Sequence, residues 1–240
     1  MSETGQTTTD RSAIRNAATV IVMRDAPNAP KVLMGQRGAS AVFMPNKFVF
    51  PGGAVDMEDA DVPVAAPIGA PCAAALREQA TGDYVHALCA AAIRELWEET
   101  GLVLGTQGAW PAPPSADWHT FATTGHVPNA APLKFVFRAV TPPGRPRRFD
   151  ARFFLINADD IANDLDDFSA ASDELSHLQW IALEDVRQFD LPFITEVVLA
   201  EVAGRASRGD TSGSVPFFLN SEEENLFLRL RGASPLDSAL

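Results

Sequence analysis

The sequence is poor in cysteine and in basic residues. Its 240 residues hold two cysteines, Cys72 and Cys89, with no C-x-x-C pair and no spacing that suggests a disulfide framework. Reduced thiols and a cytoplasmic location are therefore expected. Lysine and arginine number 19 against 31 aspartates and glutamates, a formal net charge of −12. Gripping nucleic acid through many phosphates needs a basic surface, and so does docking on an anionic membrane. The deficit argues against both partners. It does not argue against a phosphate-bearing small molecule, because a bound metal inverts the local charge. No apolar run approaches the ~18 residues of a spanning helix, and residues 1–15 lack the apolar centre of a secretory signal. The final Ser238-Ala239-Leu240 lacks the central base of a peroxisomal S-K-L address and is read as chance. The four histidines show no metal spacing, Asp159 to Asp167 lacks the glycine and final glutamate of a calcium loop, and no internal repeat is visible.

What is present suffices for a core. The chain is 46% hydrophobic, and its length suits one domain with additions. Residues 1–14 read as a polar, flexible leader. Ala17 to Met23, Lys31 to Gln36 and Lys47 to Phe50 read as strands, the last stopped by Pro51-Gly52-Gly53. Residues 54–71 read as loop and Cys72 to Gln79 as a short helix. Asp83 is placed to cap a longer helix over Tyr84 to Thr100, with Gly101 at its left-handed end. Residues 105–132 read as a long loop with at most one short helix. Leu133 to Val140, Arg148 to Asn157 and Leu175 to Leu183 read as strands, and Glu184 to Phe189 and Phe193 to Val202 as helices. Residues 204–216 read as loop, and residues 216–230 have no clear period. Strands, one acidic helix, more strands and a closing helix make an α+β fold on a mixed sheet.

The acidic helix carries the chemistry. Glu95, Glu98 and Glu99 recur at i, i+3 and i+4, so all three carboxylates share one face with Arg94, opposite Cys89, Ile93, Leu96 and Trp97. Like charges so spaced repel, and a hard cation such as Mg²⁺ would turn repulsion into ligation. A solvated acidic face is the bland alternative. The glycine pair after a strand allows close backbone approach, and Asp56, Glu58 and Asp59 follow it.

These residues resemble the signature of the Nudix hydrolase superfamily, G-x5-E-x7-R-E-U-x-E-E-x-G-U, with U a bulky aliphatic residue. Its second half is present as Arg94, Glu95, Leu96, Glu98, Glu99, Gly101 and Leu102. Its first half fits as Gly53 with Asp59, or as Gly52 with Glu58. Between Asp59 and Arg94 lie 34 residues where the signature has seven. The branch that tolerates a long insertion here, the acyl-coenzyme A diphosphatases, is also similar in its approach to the box. Here that approach reads Val32-Leu33-Met34-Gly35-Gln36-Arg37, Phe43-Met44-Pro45 and Val49-Phe50-Pro51-Gly52-Gly53.

The resemblance implies an α/β/α sandwich over residues 15–205, with an insertion at about 60–82 and a C-terminal extension over 206–240. It implies a Mg²⁺- or Mn²⁺-dependent hydrolase for a small diphosphate substrate, coenzyme A or acyl-coenzyme A first. ADP-ribose, dinucleotides or nucleotide sugars come second, and a non-catalytic ligand sensor third. Glu98 and Glu99 would be metal ligands, Glu95 a ligand or general base, and Arg94 an orienting partner. Gly53 would offer a carbonyl to metal or form the bend beside it, and Asp59 would brace the motif. Glu174 is the candidate for a later acidic ligand or base, with capping of a strand start as the equal alternative. Arg37 or Arg148 would hold the coenzyme A 3′-phosphate. The preferred reading of Arg145, Arg147, Arg148 and Arg152 is nevertheless a surface hairpin that balances nearby aspartates. Packing is the preferred role for Trp110 and Trp118, and burial for the two cysteines. A homodimer is left open.

Overall fold

The structure, a computed structural model, describes residues 13–25, 28–41, 43–208, 213–221 and 224–232. The leader up to residue 12 and the Ser238-Ala239-Leu240 ending lie outside them. In chain order the elements are β1 (Ile14–Arg24), β2 (Lys31–Arg37), β3 (Phe48–Val49), β4 (Gly52–Ala54), α1 (Ala70–Arg77) and α2 (Val85–Thr100). There follow β5 (Gly105–Gln107), α3 (His119–Ala122), β6 (His126–Pro128), β7 (Lys134–Val140) and β8 (Arg148–Asn157). The chain closes with β9 (Leu175–Ala182), α4 (Phe193–Arg208), β10 (Val215–Asn220) and β11 (Asn225–Leu230).

Among the described residues, nine strands form one mixed sheet in the order β11-β10-β7-β8-β1-β2-β3, with β4 on β1 and β9 on β2. The long β1 and β8 run parallel, from Ile14 beside Arg148 to Met23 beside Asn157. Strand alternation sends successive side chains to opposite faces, and both faces are apolar. Ala18, Val20, Val22, Leu33, Phe154 and Ile156 pack under α1 and α2. Ile21, Val32, Met34, Phe153 and Leu155 pack under Val198, Leu199 and Val202 of α4. Helices therefore cover both faces of a mixed sheet, the α+β sandwich that the sequence led us to expect.

The differences are local. Residues 105–132 hold a separate β5–β6 hairpin besides the short α3. The apolar alternation there is too short to distinguish from loop. The helix expected over Glu184 to Phe189 is one turn of 3₁₀, Val186–Gln188, and α4 runs on to Arg208. Tyr84, not Asp83, occupies the N-cap of α2, although the Asp83 carboxylate accepts the Val85 N–H at 3.3 Å. Gly101 adopts φ +74° and donates its N–H to Trp97 O at 2.7 Å, as a left-handed cap requires.

The unassigned tail is a hairpin that extends the sheet. β10 pairs parallel to β7 and antiparallel to β11. The Glu78 carboxylate, just past α1, accepts the backbone N–H groups of Arg231 and Gly232, both at 2.7 Å, and so ties the segment before α2 to the tail. Trp118 is buried against Phe121, consistent with packing. Cys72 and Cys89 are free thiols, and burial pushes Cys89 up to about 12, leaving it inert at neutral pH. No helix among the described residues is long and apolar enough to cross a membrane.

Candidate active site

Three pieces of chain meet at the site: the Gly-Gly strand β4, the 3₁₀ turn Met57–Asp61 and the C-terminal half of α2. β4 pairs with β1 so that Gly52 lies beside Thr19 and Gly53 beside Ala18. That register brings the β4 backbone against α2. A Cβ on Gly52 would come within 2.5 Å of Ala18 O, and one on Gly53 would fall on the Glu95 carboxylate. Backbone on β1 leaves room only for glycine at position 52, whereas a Cβ at position 53 would displace the Glu95 carboxylate.

Arg94 organises the cluster. It is almost wholly buried. Its Nε and Nη2 donate to Asp59 Oδ1 and Oδ2, each at 3.0 Å, a bidentate fork across 35 residues. Nη2 also donates to Ala54 O at 3.0 Å, and Nη1 donates to Glu95 Oε1 at 2.9 Å and to Glu98 Oε2 at 3.2 Å. The Asp59 carboxylate in turn accepts the Asp56 N–H at 2.9 Å. Burial acts against the Arg94 charge, but the Asp59 hydrogen bonds and the charges of Glu95 and Glu98 hold it firmly protonated. The choice between the two glycine–acid frames is now made: Asp59 is 1% exposed and paired, whereas Glu58 is exposed.

The acidic face of α2 is not a solvated surface. Glu95 and Glu99 are buried, and only Glu98 is partly open. A helical wheel separates the two faces but cannot report that β4 and the 3₁₀ turn cover the polar one. Glu99 Oε2 accepts the Gly52 N–H at 2.7 Å. Burial pushes Glu95 up to about 7, with the charges of Glu98 and Glu174 adding to it and Arg94 opposing. Burial and the Glu95 charge push Glu99 up to about 8, against the Gly52 N–H and Arg37. Glu98 is also raised, by burial first and with a contribution from Asp117.

A raised carboxylate pKa means that the folded state binds its proton more tightly than the unfolded state does. Stability of the metal-free protein should therefore fall as pH rises from about 4.5 to about 8. Scanning calorimetry in chelator will show this as a Tm that drops across that window, with a shallower drop in Glu99→Gln.

Of the residues anticipated for the site, the structure gathers Gly53, Asp59, Arg94, Glu95, Glu98 and Glu99. It brings Glu174 near enough to act on Glu95 and Glu99, and Arg37 near enough to act on Glu99. Glu174 is exposed, and the Arg37 Nε is buried without a partner. Arg148 does not join the group: Ile14, its partner on β1, is five residues from Thr19, the partner of Gly52, roughly 16 Å along the strand. The surface-hairpin reading also needs correction. Arg145 and Arg147 are exposed, but Arg148 and Arg152 are buried because β8 turns them onto the α2 face of the sheet. Asp117 was missed. It sits in a segment without periodicity and carries no local signal.

Among the described residues, no three His, Cys, Asp or Glu side chains are placed so that together they hold a metal ion. The donor set nonetheless fits a hard divalent cation. The carboxylates of Asp59, Glu95 and Glu98 contact one guanidinium, and that of Glu99 lies against the Gly52 N–H. No donor among the described residues engages the second oxygens of Glu95, Glu98 and Glu99. Mg²⁺ usually keeps several waters and takes one or two carboxylates plus substrate phosphate, so an open arrangement suits it.

A glycine-paired strand laid over an acidic helix, inside a helix-covered mixed sheet, defines the Nudix fold. The chain is similar to the crystal structure of a NUDIX hydrolase from Alicyclobacillus acidocaldarius, with 27% identity and a TM-score of 0.59 over 81% of this chain and 93% of that one. It is also 31% identical over 183 residues to the Caenorhabditis elegans protein named "Putative nudix hydrolase 7", a match over 71% of this chain and 52% of that protein. The chain thus spans about half the length of this curated relative. No family model matches. With the box assembled in space, these likenesses show the Nudix fold and support the Nudix hydrolase superfamily.

Proposed function

We propose that this protein is a divalent-metal-dependent hydrolase that cleaves a diphosphate bond in a nucleoside diphosphate-linked small molecule, with coenzyme A or acyl-coenzyme A as the favoured substrate. The observation that carries the reading is the buried carboxylate set of Glu95, Glu98 and Glu99, held by Arg94 and Asp59 beneath Gly52 and Gly53. Coenzyme A is favoured by the run from Val32 to Gly53, which resembles the acyl-coenzyme A diphosphatase branch. ADP-ribose, dinucleotides and nucleotide sugars are the second reading.

A diphosphate repels a water nucleophile with its own oxygens. Bound Mg²⁺ or Mn²⁺ would neutralise that charge and lower the pKa of water. Glu98 and Glu99 would hold it, with Gly53 offering its carbonyl. Arg94 orients Glu95 and Glu98 through its Nη1. Glu95 would serve as ligand or as the base that takes the water's proton, and Glu174, on the exposed side, is the alternative base. Arg37 has donor capacity to spare and would meet a substrate phosphate. Asp59 does not touch substrate; it keeps Arg94 in place.

The test is a panel of coenzyme A, acyl-coenzyme A, ADP-ribose, dinucleotides and nucleotide sugars, assayed with Mg²⁺ and Mn²⁺. Hydrolysis of coenzyme A species is expected. Hydrolysis of ADP-ribose alone would transfer the assignment to the second reading, and a silent panel would leave the fold as a ligand sensor.

A further inference from the structure

A second polar centre lies away from the acidic one. A cavity of about 320 Å³ opens where β1 begins, lined among others by Ile14, Val140, Arg148, Phe217, Leu219 and Asn220. Arg148 is 9% exposed. Its Nε donates to Thr141 O at 3.1 Å and its Nη2 to Asn220 O at 3.3 Å, both neutral acceptors. Nη1 has no partner among the described residues, and no carboxylate there comes within ion-pair distance of this guanidinium.

Among the described residues, the one carboxylate that lines the cavity, that of Asp150, is already used. Asp150 accepts Nε and Nη2 of Arg138, at 2.8 and 2.7 Å, and lies 3.0 Å from Nη1 of Arg152. Arg138 spends its remaining capacity on the carbonyls of Glu78 and Gln79 and lies over the Phe217 ring at 4.2 Å. Of the three buried guanidinium groups, two thus share one aspartate and Arg148 has only neutral acceptors, in a protein with a net charge of −12. Burying an unpaired charge is costly, and an anion in the cavity would remove that cost.

We propose that this cavity binds a small organic anion, a phosphate or carboxylate head on a short apolar stem, with Arg148 as the charged anchor and Phe217, Leu219 and Ile14 against the stem. The volume stands at the small end of ligand cavities, about 300–1,000 Å³, which suits a head group with a few carbons and not a nucleotide. Segments before α2, from the sheet and from the tail all line it. A ligand here would brace Gln79, in the segment leading to α2, against β10.

The experiment is calorimetric titration of the full metal-free chain with butyl phosphate, pentanoate and inorganic phosphate. One saturable site for butyl phosphate or pentanoate is expected, and the tighter of the two identifies the head group. Affinity should drop at least tenfold in Arg148→Gln, less in Arg148→Lys, and remain unchanged in Glu98→Gln. Ile14→Trp, at an exposed position on the cavity wall, should also weaken binding and leaves the arginine in place, so it carries the test if Arg148→Gln does not fold. Absence of a saturable site in the wild type would overturn the proposal. So would undiminished affinity in Arg148→Gln or Ile14→Trp, or a loss in Glu98→Gln.

Discussion

Replacing Glu98 or Glu99 by glutamine should lower kcat/KM for the diphosphate substrate by about 10³, roughly 4 kcal/mol of transition-state stabilisation. The metal-free Glu99→Gln fold should meanwhile be as stable as the wild type or more so. The two effects have opposite signs for one reason. Glu99 is an acid whose charge is disfavoured by burial and by Glu95, which is why it is pushed up to about 8. Glutamine removes the charge and keeps an oxygen for the Gly52 N–H that Glu99 now accepts at 2.7 Å. Strain is relieved, and the capacity to hold a cation goes with it. Thermal denaturation with and without Mg²⁺ checks both halves. The wild type should gain Tm on adding metal, and the variants should gain little. Unchanged turnover in both variants would remove these carboxylates from the reaction.

Arg94→Met should be the most destabilising single change at the site, at about 3–5 kcal/mol, the usual cost of leaving a buried ionic partner alone. For a chain of this size that is a fall in Tm on the order of 10 °C. Asp59 would keep the Asp56 N–H but lose both guanidinium hydrogen bonds, and Glu95 and Glu98 would lose their common donor. Arg94→Lys retains the charge without the planar fork, so it should recover part of the stability and little of the activity. The double variant Arg94→Met/Asp59→Leu separates bracing from chemistry. Replacing a buried pair by apolar residues is often neutral for stability, so its Tm should return toward the wild type while activity stays low. Full activity in that variant would show that Glu95 and Glu98 need no orienting partner.

The sites of these predictions were unequally visible beforehand. The spacing of Glu95, Glu98 and Glu99 is local, since 3.6 residues per turn places them together whatever surrounds the helix. Gly101 as the helix stop and the glycine pair after β3 are local as well. Asp59 was only half visible, because two frames fitted and nothing in the string of residues distinguishes a buried acid from an exposed one a position earlier. Asp117 and the Arg148 cavity had no signal. Each depends on segments far apart in the chain, and Arg148 in particular looked like part of a charged surface turn.

By itself, then, the sequence determined the acidic helix, the glycine bend and the family resemblance, because short-range periodicity and backbone freedom are written in neighbouring residues. The tertiary structure decided which acid braces Arg94, that the acidic face is buried, and where the arginines lie. Those outcomes follow from how β4 registers on β1 and from what packs over α2 across 34 intervening residues. Burial and charge pairing are properties of that assembled arrangement, and local spacing does not carry them.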